Sequence, residues 1–495
     1  MLIRDILLER SSSETLAVFY AGKQYTYRAL YELSSGVAEK LRASGRATRN
    51  IGIYLPNSIE YVIAYFALAL LGRTIVPIGI QAKKIEILST AEYCELGLII
   101  TKGKYKNDLC ESLESNPYRV GVYDIEFDTT IALGAVVERY QGYSNTFEPV
   151  EDDTAILLHT SGTTSNPKRV MLTHANLISN IRSNIESLEL TKEERSLIAL
   201  PMFFGYCNTA QFLTHMFLGA SIVIMDSPIF LPHIFFEFIE RHKITNFTGV
   251  PSMLLMLLSY RNRGMHDVTA LRYICFGGGV MPIDKLKELI FAFPTVGFVH
   301  TYGQTEASPR ATALLPRDAL HKIGSVGKPI PGVALRIIDD EGNDVVKGEI
   351  GEIILHGPNV MKGYYKRPDV TSTAIIDGWL HTGDLGRHDV DNYVYLTGRK
   401  KNIIISGGMN IYPEEIEEVL LGHEGVQEAC VIGEEHPILG EVPSAIIVLS
   451  KCEKHVSVEM LKDFCMSILP QNKVPVRFTI ATELSKTATG KIRRY

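Results

Sequence analysis

Over its first 320 residues the chain alternates short apolar runs with segments of helical periodicity, and this restricts its fold more than any other feature. Leu30, Leu33, Val37 and Leu41 recur at helical spacing after the turn-like Ala21-Gly22. Residues 51–55 form a compact apolar run that stops at Pro56-Asn57, and residues 98–101 and 155–158 repeat the pattern. Residues 221–225, 246–250 and 273–276 read as further strands. Residues 232–241 and 251–260 read as helices, each opening on a proline, whose fixed φ and missing N–H suit a first helical position. Strands that are apolar on both faces need cover on both faces. The expectation is therefore an α/β architecture with helices packed against buried sheets.

After Gly324 the texture changes. Short β-rich runs such as residues 334–338 and 349–355 are separated by Gly and Pro. A polar stretch around residues 398–402 then precedes a smaller unit, in which Pro413 suits a helix start with Glu414 and Glu415 in the first turn. Residues 426–432 and 445–449 suit strands, and residues 456–469 suit a helix. A chain of 495 residues exceeds one compact core. The expected organisation is a large N-terminal domain, 1–400, of α/β sheets plus a β-rich subdomain, and a smaller, mobile α+β C-terminal domain, 401–495.

Charge and cysteines exclude several classes. The net charge of −6 argues against a broad basic surface, so nucleic acid is not an expected partner. Seven scattered cysteines without a C-x-x-C pair suit reduced thiols rather than disulfides or a zinc site. The N-terminal MLIRDILLERSSS carries charge within its apolar stretch, unlike a signal peptide. The most apolar region, 61–80, is broken by Arg73 into pieces too short to span a bilayer. A cytoplasmic protein without a membrane span is expected.

Five stretches carry chemistry. HTSGTTSNPK, residues 159–168, follows a buried strand; small side chains let backbone N–H groups approach phosphate oxygens, and Lys168 adds charge. It is not a Walker A loop, since Pro167 stands where that motif needs glycine and Arg169 where it needs Ser or Thr. HTYGQTE, residues 300–306, offers the flat face of Tyr302 to a purine and the hard oxygens of Glu306 to Mg²⁺. In DGWLHTGDL, residues 377–385, Asp384 follows a Thr-Gly turn, where a carboxylate accepts hydrogen bonds from vicinal hydroxyls. Residues 395–413 place Arg399 before the domain boundary and Gly407-Gly408 after an apolar run, suiting close passage of a ligand. SKTATGKIRR, residues 485–494, places Lys491 among other cations. Taken singly, each is also compatible with a polar turn or a solvated tail.

Together and in this order, these stretches resemble the adenylate-forming superfamily of acyl-CoA synthetases, aryl-CoA ligases, luciferases and peptide-synthetase adenylation domains. The resemblance runs from about Thr26 to the C-terminus. It implies that Thr160, Ser161, Gly162, Thr163, Thr164 and Lys168 hold ATP phosphates, and that Gly277, Gly278 and Gly279 line the adenine and acyl pockets. It further implies that Tyr302 lies against adenine, Thr305 bonds the α-phosphate, Glu306 holds Mg²⁺, and Asp384 and Arg399 hold the ribose. Lys491 would serve the adenylation step, Lys401 the hinge and Gly408 the thiol passage.

Several positions depart from the family pattern. Ser165 and Arg169 replace usual glycines, Arg169 adding phosphate affinity or facing solvent. Phe204 replaces a usual histidine, His300 a usual asparagine and Ser485 a usual proline. The implied activity is ATP-dependent conversion of a fatty or aromatic acid to an acyl-adenylate, then transfer to the thiol of coenzyme A. The alternative acceptor is the phosphopantetheine of an acyl carrier protein. GYCNTAQF, residues 205–212, holds no acid to pair with a substrate ammonium, which disfavours an α-amino acid.

Overall fold

A computed structural model of the chain describes residues 1–43, 48–113, 120–125, 153–159, 168–227, 229–450, 456–486, 492 and 494. Apolar runs predicted as strands form strands, and two stacked sheets build the large N-terminal domain. Among the described residues the first sheet has nine strands. Its central strands run parallel: Gly297–Gly303, Tyr273–Gly277, Asn246–Gly249, Arg195–Ile198, Ser221–Ile224 and Leu16–Tyr20. Antiparallel strands follow on both sides, Arg310–Leu314 and then the edge strand Lys328–Pro329 beyond Gly297–Gly303, and Lys23–Thr26 beside Leu16–Tyr20. The second sheet has seven strands among the described residues and is parallel through Thr74–Pro77, Asn50–Ile53 and Leu98–Thr101. At its other side it turns antiparallel through Thr154–His159, Arg169–Thr173 and Gly363–Tyr364.

The helix Ile59–Leu70 is buried at every position, which explains why it is apolar all round rather than amphipathic. Ser58 starts it by accepting a hydrogen bond from the Tyr61 N–H. Among the described residues no helix is long and apolar enough to cross a membrane. Pro232, Pro251 and Pro413 each occupy the first turn of a helix, as their positions predict.

The β-rich subdomain is a five-stranded sheet among the described residues, built on Ala334–Ile338, Gly351–His356 and Trp379–His388, with Val394–Arg399 paired to the last. The smaller C-terminal domain has its own sheet, of Ile404–Ser406, Met409–Ile411, Val426–His436, Gly440–Leu449 and Arg477–Ala481. Helices Pro413–Leu421 and Val458–Ile468 cover it, and Ile416, Leu420, Ile447 and Leu461 form a core separate from that of the large domain. The six cysteines among the described residues are free thiols.

Candidate active site

The site is built where strands of three sheets come together. In the nine-stranded sheet, HTYG is the end of the strand Gly297–Gly303, and the short helix Thr305–Ala307 follows it at once. The sequence suggests that the tyrosine, the glycine turn and the Thr-Glu pair follow a strand; instead Tyr302 and Gly303 are its last residues. Two glycines are there because the backbones crowd. A β-carbon on Gly303 would lie 1.9 Å from the Pro309 carbonyl oxygen, and one on Gly277 would lie 2.4 Å from that of Thr301. Gly278 has φ of +79° and open space around it, and a β-carbon on Gly279 would only touch Pro251.

Tyr302 joins the first sheet to the β-rich subdomain. It is 7% exposed, and its hydroxyl donates to Asp384 Oδ2 at 2.8 Å. Burial first, and the Asp384 charge second, push this phenol well above its ordinary pKa, so it remains a donor. Asp384 does not lie in a turn. It falls within the strand Trp379–His388, directly across from Arg399 on Val394–Arg399, and the register sets their ion pair of 2.7 Å between Arg399 Nε and Asp384 Oδ1. The Asp384 charge raises the Arg399 pKa further, fixing the guanidinium as a cation. Both carboxylate oxygens thus have a protein partner, and a carboxylate retains lone pairs for further donors.

The seven-stranded sheet supplies the next edge. Gly363–Tyr364 pairs with Arg169–Thr173, so Tyr364 stands beside Lys168. The Lys168 ammonium lies 4.9 Å from the centre of the Tyr364 ring, and the Tyr364 hydroxyl donates to Glu306 Oε1 at 2.9 Å. Tyr364 therefore bridges a cation of one sheet to a carboxylate of the other. Burial and the Glu306 charge push its phenol up. Sequence reasoning missed this residue; the first of the two tyrosines in GYYKRP carries no local signal of a contact 58 residues away. Among the described residues Glu306 has no ion pair within 4 Å and no cluster of three metal-ligating side chains occurs. That suits Mg²⁺, which takes one or two carboxylates and fills its octahedron with phosphate oxygens and water.

Lys401 belongs to the single turn Lys400–Asn402 that links the domains. Burial lowers its pKa, and the charges of Arg399 and Lys168 lower it further, so three cations converge beside Glu306 and Asp384. The C-terminal segment is fastened to the same place. Arg494 grips Glu417 with both terminal nitrogens, at 2.5 and 2.8 Å, and reaches Glu414 at 3.0 Å. Glu414 also accepts from Asn402 at 3.0 Å, next to the linker lysine. Gly407 and Gly408 turn between Ile404–Ser406 and Met409–Ile411 with φ of +57° and +81°, and nothing lies within 4 Å of a β-carbon placed on Gly408.

Thr160, Ser161, Gly162, Thr163, Thr164 and Lys491 lie outside the described residues. Arg169 does not face solvent. It is 4% exposed and bonds Thr90, because its strand is buried beneath the helix Lys84–Tyr93. His300 stacks on Phe276, with centroids 4.6 Å apart, and its Nδ1 contacts the Ser325 carbonyl. Burial holds its pKa near 4, leaving a neutral ring. Phe204 packs against Phe203 at 4.2 Å, so an apolar pair stands where a histidine was usual.

The chain matches two family models: an AMP-binding enzyme over residues 8–365 and an AMP-binding enzyme C-terminal domain over residues 415–491. A 2-succinylbenzoate–CoA ligase of Bacillus subtilis (strain 168) is 34% identical, with 99% of this chain and 96% of that protein covered. A feruloyl-CoA synthase of an Amycolatopsis species is 31% identical, covering 98% and 95%. The solved o-succinylbenzoate CoA synthetase of Bacillus subtilis, in complex with ATP and magnesium ion, superposes with a TM-score of 0.86 at 32% identity over 99% of this chain and 98% of that one. The same synthetase in complex with its acyl-adenylate intermediate gives 0.87 over 99% and 96%.

Proposed function

Because the chain belongs to the AMP-binding enzyme family, we propose that the meeting of Glu306, Tyr364, Lys168, Asp384 and Arg399 is the place where it activates a carboxylic acid with ATP. The enzyme is an AMP-forming acid–CoA ligase: a carboxylate becomes an acyl-adenylate, and the acyl group passes to coenzyme A. The observation that carries the assignment of residues is the Lys168–Tyr364–Glu306 bridge. It places a cation and a hard anion on either side of one tyrosine, with its neutral phenol holding both in position.

In the first step a carboxylate oxygen attacks the α-phosphorus, the bond to pyrophosphate breaks, and pyrophosphate leaves. Attack of one anion on another needs positive charge held in advance at the reacting centre. Lys168 and the small-residue turn at 160–164 hold the phosphates, Thr305 bonds the α-phosphate, and Lys491 approaches the carboxylate. Glu306 holds the Mg²⁺, which offsets the charge of the phosphate oxygens. Asp384 and Arg399 bind the ribose, and Tyr302 and Gly277 to Gly279 border the adenine. In the second step the thiol attacks the acyl carbon and AMP departs. The C-terminal domain, beginning at Lys401, turns about that residue to withdraw Lys491 and bring Gly408 to the thiol's path. The acid has an aromatic body, as the names of the succinylbenzoate and feruloyl ligases suggest for theirs.

ATP–pyrophosphate exchange with a panel of aromatic and fatty acids tests this reading. Exchange is expected with at least one aromatic acid, followed by thioester when coenzyme A is added. Exchange without thioester until a carrier protein is supplied would transfer the second step to carrier loading. No exchange with any acid would overturn the proposal.

A further inference from the structure

The Asp384–Arg399 pair stands on a break in sheet register. Between Gly351–His356 and Trp379–His388, Glu352 pairs with Leu385 and Ile354 with His381, so Thr382, Gly383 and Asp384 together oppose Ile353 alone. A bulge of this kind interrupts the ladder and re-aims side chains, and its backbone groups need partners outside the ladder. The Thr382 hydroxyl donates to the Ile353 carbonyl at 2.6 Å and accepts from the Asp384 N–H at 3.0 Å. Gly383 takes φ of +69°, and its N–H donates to Glu352 Oε1 at 3.2 Å.

Glu352 has a second partner on the other side of the pair. Its Oε2 lies 3.4 Å from the Lys400 ammonium, and Lys400 directly follows Arg399. Lys400 also meets Asp340 at 2.8 Å, but the Asp340 side chain is 84% exposed, and an ion pair so open to water holds little in place. The Glu352 side chain is only 11% exposed, so water screens its charge less. His381 Nδ1 stands 3.5 Å from the same oxygen. One carboxylate thus holds the backbone immediately before Asp384 and the side chain immediately after Arg399.

We propose that Glu352 is a positioning residue of the nucleotide site. One oxygen holds the bulge that presents Asp384, and the other, through Lys400, holds the chain that presents Arg399. The inference rests on the reading of Asp384 and Arg399 as the ribose-binding pair and names what keeps that pair in register. Hydrogen bonds to two vicinal hydroxyls need the accepting carboxylate fixed to within about half an ångström, which strand pairing interrupted by a bulge does not supply alone.

The test is calorimetric titration with ATP and with 2′,3′-dideoxy-ATP, each with magnesium, which needs no acid substrate. The wild type is expected to bind ATP roughly 10- to 100-fold more tightly than the dideoxy analogue, the range of a charge-assisted hydrogen bond. In Glu352→Ala that ratio should fall to within about threefold of one, chiefly through weaker ATP binding. Glu352→Gln keeps an acceptor for the Gly383 N–H but loses the attraction to Lys400, and Lys400→Met loses that attraction alone. Both should give intermediate ratios, and they decide the matter if Glu352→Ala does not fold. Asp384→Ala serves as the reference that removes the ribose contact itself. A wild-type ratio in every Glu352 and Lys400 variant, with the ratio lost in Asp384→Ala, would overturn the proposal. So would equal weakening of both nucleotides with a lowered Tm, which marks Glu352 as part of the sheet only. A wild-type ratio retained in Asp384→Ala strikes the ribose reading instead, and the proposal falls with it.

Discussion

The large and small domains hold their functional residues by different means. In the large domain, Tyr302 and Asp384 stand on interior strands of two sheets and Glu306 on the short helix after one of them; Asp384 accepts from Tyr302 and pairs with the cross-strand Arg399, and Glu306 accepts from the Tyr364 phenol. In the small domain, Gly408 sits in an open hairpin flanked by the half-exposed Ile405 and Met409, and the tail bearing Lys491 is tethered by Arg494 on Glu417. The first arrangement suits a charge pattern that must not relax during reaction. The second suits a part that is carried as a unit and presented in more than one pose.

The largest expected effect lies in the fixed region. Glu306→Gln should lower the rate of acid-dependent ATP–pyrophosphate exchange by roughly 10³-fold, while thiolation of preformed adenylate changes little. Comparable losses in both assays would erase the distinction between the regions. The next concerns the tether. Glu417 is buried, and Arg494→Met leaves it without its cation, which should destabilise the small domain by about 3 kcal/mol at neutral pH. Hydrogen exchange should show the loss in Val426–His436 and Gly440–Leu449 and not in the strands of the large domain.

Acid should separate the two domains in opposite directions. His174 Nδ1 accepts the Ile3 N–H at 3.1 Å, which needs an unprotonated nitrogen, and burial lowers its pKa to about 4. Arg4 and the N-terminus act with burial, while Asp5 and Asp153 oppose it. A depressed folded-state pKa gives stability that is whole above pH ~6.5 and is lost on the way down to the folded value. Between pH 6.5 and 4.5 this group alone should cost the large domain about 2 to 3 kcal/mol. Glu417 behaves oppositely: burial raises it to about 6 although Arg494 pulls it down, so the small domain gains as pH falls below 6. Hydrogen exchange at the two pH values reads both signs, and a parallel loss would contradict the assignment. The smallest effect is Tyr364→Phe. It keeps the ring under Lys168 but removes the donor to Glu306, and should slow exchange about tenfold.

Local structure was legible where one element decides it. Residues 98–101 and 221–224 are strands because their apolar runs meet neighbours on both sides, 334–338 is an edge strand, and proline opens helices at 232, 251 and 413. The motifs also led to Glu306, Asp384, Arg399 and Lys168, which the fold brings together. What escaped notice depends on pairing between distant segments. Asp384 looks like a turn residue because Thr and Gly precede it, yet its strand continues through them to pair with Val394–Arg399. Arg169 reads from its neighbours as a phosphate contact or a solvent-facing cation, and sheet register buries it, which excludes the second. Tyr364 carries no sequence signal, since its meaning comes from Glu306, 58 positions away.

The central claim, that a fixed region and a moving one serve different steps, is tested most directly by timing the two half-reactions separately in Lys491→Ala and Gly408→Leu. Lys491→Ala is expected to abolish acid-dependent pyrophosphate exchange yet still pass a preformed acyl-adenylate to coenzyme A. Gly408→Leu, which puts a side chain into open space at φ +81°, is expected to do the reverse. If each variant lost both half-reactions to the same degree, the division of labour would be contradicted.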